Sequence, residues 1–112
     1  MSQGLVEASG RVLDAVVSSM GGSAREGQAS MVAEGAAALE DREHLLVQAG
    51  TGTGKSLGYL VPLLTHCAVS GVRGLVSTAT LALQRQILVK DAPVAVDAVA
   101  SATGVRLKVA VL

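Results

Sequence analysis

Eight consecutive residues, Ala49-Gly50-Thr51-Gly52-Thr53-Gly54-Lys55-Ser56, constrain the fold of this chain more than any other feature. They stand between two apolar runs, His44 to Ala49 and Leu57 to Val69, so the local order is strand, loop, helix. Glycines at positions 50, 52 and 54 reach backbone conformations closed to other residues, which lets successive N–H groups turn inward as an anion nest. Lys55 adds a mobile positive charge. The hydroxyl of Ser56 is placed to ligate a Mg²⁺ ion held between β- and γ-phosphates, and the next helix presents its positive end to the same anion. The spacing is that of a phosphate-binding P-loop (Walker A), with Ala49 where the strict pattern has glycine. It nominates Ala49, Gly50, Thr51, Gly52, Thr53, Gly54, Lys55 and Ser56 for the phosphates, Lys55 and Ser56 for catalysis, and Ser56 for the metal. A glycine-rich turn with a solvated lysine is the structural alternative.

The 112 residues suit one small domain or part of one. Half the residues are hydrophobic and the mean hydropathy is +0.51, high for a free-standing domain and suggestive of surfaces that further chain would cover. The net charge of zero conceals an asymmetry. Four cations against seven acids leave residues 1–72 at −3, whereas five cations against Asp91 and Asp97 leave 73–112 at +3. The second half is therefore the one suited to face a polyanion.

A single cysteine, Cys67, excludes an internal disulfide and a cysteine-cluster metal site. Its neighbour His66 points about 100° away on a helix and no further ligands stand at metal spacing, so no metal centre is expected there. His44 reads as a strand-edge residue. No basic segment followed by an apolar core opens the sequence, and the uncharged run from Ser56 to Val72 is short for a bilayer and interrupted by Pro62. The expectation is a cytoplasmic protein without a membrane partner.

Leu5, Val6, Val12, Leu13, Val16, Val17 and Met20 recur at helical spacing and predict a first helix ended by Gly21-Gly22. A second helix is predicted over Glu26 to Leu39, with Met31, Val32 and Leu39 inward. A strand follows at His44 to Gln48, then the loop and a helix kinked at Pro62. Gly74 to Thr78 reads as a strand, Thr80 as the cap of a helix reaching Val89, Pro93 to Thr103 as another helix, and the alternation of Val105, Leu107, Val109 and Val111 as a final strand ending at Leu112. Strands separated by helices imply an α/β domain, a parallel sheet with helices on both faces.

Hydrolysis in a P-loop site needs an acidic residue at the end of a second apolar strand. Val94-Ala95-Val96-Asp97 has that outline but follows Pro93 at Ala-rich helical spacing, so Asp97 is read as helix surface. The chain alone is expected to bind nucleotide without efficient turnover.

Several segments together resemble one family. Arg25-Glu26-Gly27-Gln28 followed by Met31, the P-loop, Leu57-Gly58-Tyr59-Leu60-Val61-Pro62, and Ser77-Thr78-Ala79-Thr80-Leu81-Ala82-Leu83-Gln84-Arg85-Gln86 are similar to the opening motifs of superfamily 2 DNA helicases of the DinG/XPD type, over about residues 12–112. The resemblance implies the N-terminal part of a RecA-like first motor domain spanning 1–112. It implies Arg25 and Gln28 as the adenine-recognising Q motif, and Ser77, Thr78, Thr80 and Gln84 as contacts to single-stranded or forked DNA. ATP and Mg²⁺ are the implied cofactors. The Walker B acid, the second motor domain and the cysteines of an iron–sulfur cluster found in many members would all lie after Leu112. No obligate protein partner is implied.

The physical character of these residues agrees with the implied roles. An arginine and a glutamine three apart can offer donors and an acceptor to an adenine edge. Small hydroxyl residues suit phosphates rather than bases, and with Tyr59 the only aromatic, the segment is expected to touch the nucleic-acid backbone. Two other readings stay open: a P-loop ATPase or kinase unrelated to DNA, and a non-enzymatic nucleotide- or DNA-binding module.

Overall fold

A computed structural model of the chain describes residues 2–21, 26–48 and 55–112. Its elements are α1 (Ser2–Ser19), α2 (Glu26–Asp41), α3 (Lys55–Ser70), α4 (Leu81–Gln86), a π-helical turn (Ile87–Asp91) and α5 (Ala92–Thr103). α1 packs against α2, α3 and α5, and α3 against α2 and α5, so the architecture is a small helical bundle.

Apolar spacing explains the packing. In α1, Leu5, Val12, Leu13 and Val16 fall on one face and are buried, while Val6 and Val17 are half-buried and Met20 lies exposed beyond the helix end. α3 is the most enclosed helix, burying Leu57, Leu60, Val61, Leu64 and Cys67 along with Pro62 and Thr65. α5 turns Ala92, Ala95, Val96 and Val99 inward. Val12, Val16, Val32, Val61 and Val99 are fully enclosed, each contributing about 1.5–3 kcal/mol of apolar burial.

Helix ends follow local backbone chemistry. Gly21, Gly71 and Gly104 close α1, α3 and α5 in the left-handed region. α2 ends in the same way on a side-chain-bearing residue. Arg42, at φ 58°, donates its N–H to Leu39 O, and Glu43 donates to Ala38 O at 2.9 Å, the paired bonds of a Schellman closure. Pro62 does not end α3, which continues to Ser70.

The α/β expectation, with its RecA-like parallel sheet covered on both faces, is overturned: no strand or sheet occurs among the described residues. The three segments read as strands, 44–48, 74–78 and 105–112, run without ladder hydrogen bonds to one another. Open clefts stand where a ladder would hold neighbours about 4.8 Å apart. One of about 660 Å³ lies between 43–47 and 75–79, and one of about 630 Å³ lies between 72–81 and 107–112. Alternation of apolar residues specifies which side chains share a face, but a strand exists only where a second backbone meets its N–H and C=O groups. Leu46 and Leu75 accordingly stand exposed, at 99% and 75%.

Two helices expected to be separate around Pro93 are joined instead. α4, the π turn and α5 form one helical run, with Ala92 N–H donating to Ile87 O across five residues. Pro93 cannot donate to the carbonyl one turn back and its ring crowds that position, which the wider turn relieves.

Candidate functional site

Lys55 opens α3 and is exposed, Ser56 is half-buried, and Leu57 is the first buried residue of the helix. The first backbone N–H groups of α3 have no partner within the helix, and no acidic side chain stands in its first turn to compete for them. Ala49, Gly50, Thr51, Gly52, Thr53 and Gly54, together with Arg25, lie outside the described residues. Gln28 sits in the first turn of α2, 8% exposed and engaged by a partner.

The second group of expected residues surrounds the start of α4. Thr80 is extended (φ −129°, ψ 150°), and its Oγ1 accepts the Leu83 N–H at 3.1 Å, the N-cap expected from the sequence. That bond occupies a lone pair of the hydroxyl and leaves its proton free to donate outward. Thr78 differs, since its Oγ1 donates to Thr80 O at 3.1 Å. Ser77 is exposed and Gln84 half-buried.

Ser77, Thr78, Thr80 and Gln84 all line the 630 Å³ cleft, whose floor is formed by Leu60, Leu64 and Cys67 of α3. Gly74 helps this arrangement: a Cβ there would lie 2.9 Å from Leu63 Cδ1 and 3.0 Å from Cys67 Sγ, so a side chain at this position would make Leu63 and Cys67 give way. Arg73 and Lys108 line the same cleft. Neither was singled out from sequence, where the signal was only the positive balance of 73–112. Lys55, Ser56 and Gln28 line neither cleft.

Asp97 lies on α5 with its side chain 71% exposed, and Arg106 Nη1 meets its Oδ1 at 3.0 Å. The helix-surface reading of Asp97 therefore holds. Cys67 is buried, and desolvation pushes its thiol above the ordinary value of 9.0, a rise only partly offset by a backbone hydrogen bond. It stays a protonated, unreactive core residue. No group of three or more His, Cys, Asp or Glu side chains among the described residues could hold a metal ion. His66 Nδ1 instead meets Ser70 Oγ at 3.3 Å. No helix among the described residues is long and apolar enough to cross a membrane.

A family profile described as "DEAD/DEAH box helicase" matches residues 25–104. The chain belongs to the DEAD/DEAH box helicase family. Within it the chain is DinG-like, being 46% identical over all 112 residues to the ATP-dependent helicase DinG of Mycobacterium tuberculosis, of which those residues cover 17%. It is also 42% identical over 73 residues to the 3'-5' exonuclease DinG of Bacillus subtilis, covering 65% of this chain and 8% of that protein. The ATP-dependent DNA helicase DinG of Salmonella typhimurium is 42% identical over 71 residues, covering 62% of this chain and 10% of that protein. The chain thus spans under a fifth of the length of these relatives. No solved structure matches it.

Proposed function

We infer that the chain is the ATP-binding part of an ATP-dependent DNA helicase that couples ATP hydrolysis to movement on single-stranded DNA and unwinding. The observation that carries this reading is the likeness to DinG helicases along the whole chain, together with Lys55 and Ser56 at the N-terminal end of α3. Bound ATP with Mg²⁺ supplies a phosphoanhydride whose γ-phosphoryl group passes to water. Lys55 neutralises phosphate charge, Ser56 offers an oxygen to the metal, and the α3 N–H groups and the glycine loop cradle the phosphates. Arg25 and Gln28 read the adenine. Ser77, Thr78, Thr80 and Gln84 hold the nucleic-acid backbone without reading sequence. The 112-residue chain alone binds ATP with little turnover, and the longer protein works in the cytoplasm.

Lys55→Ala tests the nucleotide half of the proposal. Loss of a charge-assisted contact of about 1.5–3 kcal/mol should weaken ATP binding at least about tenfold by calorimetry on folded protein. Equal affinities in the two proteins would remove the phosphate-loop reading.

A further inference from the structure

We propose that Arg73 and Lys108 bind phosphates of the same single strand, supplying the charge that Ser77, Thr78, Thr80 and Gln84 lack. The inference rests on the reading that the cleft takes single-stranded DNA. All six residues line one 630 Å³ cleft, and that lining contains no aspartate or glutamate. Both cations are exposed. The two acids of the positive half are occupied elsewhere: Asp97 pairs with Arg106 at 3.0 Å, and Asp91 Oδ2 accepts from Gln86 Nε2 at 3.4 Å. Neither Arg73 nor Lys108 has a carboxylate partner among the described residues. Arg85, Lys90 and Arg106 do not line the cleft, so the positive balance of 73–112 is concentrated there in these two side chains.

Arg73 precedes Thr78 by five residues of chain, a reach of at most about 18 Å, so both can address one bound strand. A guanidinium grips a phosphate through two N–H donors and an ammonium acts as a point charge; each releases counterions when it binds.

The experiment is fluorescence anisotropy of a labelled oligo(dT) single strand with the 112-residue chain, between about 50 and 200 mM salt. Arg73→Gln and Lys108→Gln should each lower the slope of log affinity against log salt by about 0.7, and the double variant by about 1.4. Arg73→Lys should keep the slope. Arg11→Gln, on exposed α1 surface away from the cleft, should leave it unchanged. Oligo(dT) binding with an unaltered slope in the double variant, or an equal loss in Arg11→Gln, would overturn this assignment and leave the DNA reading standing. Absence of oligo(dT) binding by the unmutated chain at the lowest salt would overturn both. Helical circular dichroism of each variant separates a lost contact from a lost fold.

Discussion

The hydroxyl of Thr80 serves local structure and the proposed site at once, and a substitution series separates the two. Thr80→Ala removes the acceptor for Leu83 N–H and should cost about 1 kcal/mol in chemical denaturation, whereas Thr80→Ser keeps both acceptor and proton. If the free proton meets a phosphate, DNA affinity should fall in Thr80→Ala, persist in Thr80→Ser, and nucleotide affinity should change in neither. Thr78→Val should have a smaller effect on DNA, because the Thr78 proton is already given to Thr80 O. DNA binding that survives Thr80→Ala intact would leave the residue a cap and nothing more. The cap was legible in the sequence, since a threonine before an apolar helical run is a strong signal. The committed proton of Thr78 was not, because it depends on how the backbone turns between residues 78 and 80.

α2 and α3 meet through small residues, and opposing effects there can be set against each other. A Cβ on Gly58 would fall 2.6 Å from Met31 Sδ, closer than real contacts allow, while alanine in a helix is favoured over glycine by about 1 kcal/mol. Overpacking costs about 1–3 kcal/mol, so Gly58→Ala should destabilise the chain on its own. In a Met31→Ala background the obstruction is gone and the same change should stabilise by up to about 1 kcal/mol, a reversal of sign that denaturant titration of the four proteins can read. An equal effect in both backgrounds would mean that the two helices do not approach here. Helices were the most legible elements: the spacing of Leu5, Val12, Leu13 and Val16, the glycines past the ends and the Thr80 cap each act within one or two turns of the chain. Strands were misread because their defining bonds are not local. Val105, Leu107, Val109 and Val111 alternate as a strand would, yet no neighbouring backbone among the described residues bonds to them. The π turn was equally hidden, since Pro93 announces a break and not the manner of its repair.

Across the molecule, protection should divide sharply between bundle and periphery. Amides of α1, α3 and α5 are tied into helices around Val12, Val61 and Val99, while 44–48, 72–79 and 105–112 lack backbone bonds to one another. Native-state hydrogen exchange should therefore be slow in the first set and close to the unprotected rate in the second; protected amides at 105–112 would contradict the arrangement. Of the proposed site, the sequence nominated Lys55 and Ser56 in one place and the 77–84 group in another, but not that Arg73 and Lys108 line the cleft of the second, because only tertiary packing brings residues 73 and 108 to one cleft. The run from Leu81 to Thr103 adds one more relation of this kind. Its π turn accommodates an additional residue, so the faces of α4 and α5 are set out of phase by about 100° relative to an unbroken helix. α5 is clamped by the core, and the turn therefore works as a fixed gear that dictates the direction in which Thr80 and Gln84 look. Deleting a single residue from 89–91 would rotate that end of the cleft away from its opposite wall while leaving every cleft residue in the sequence.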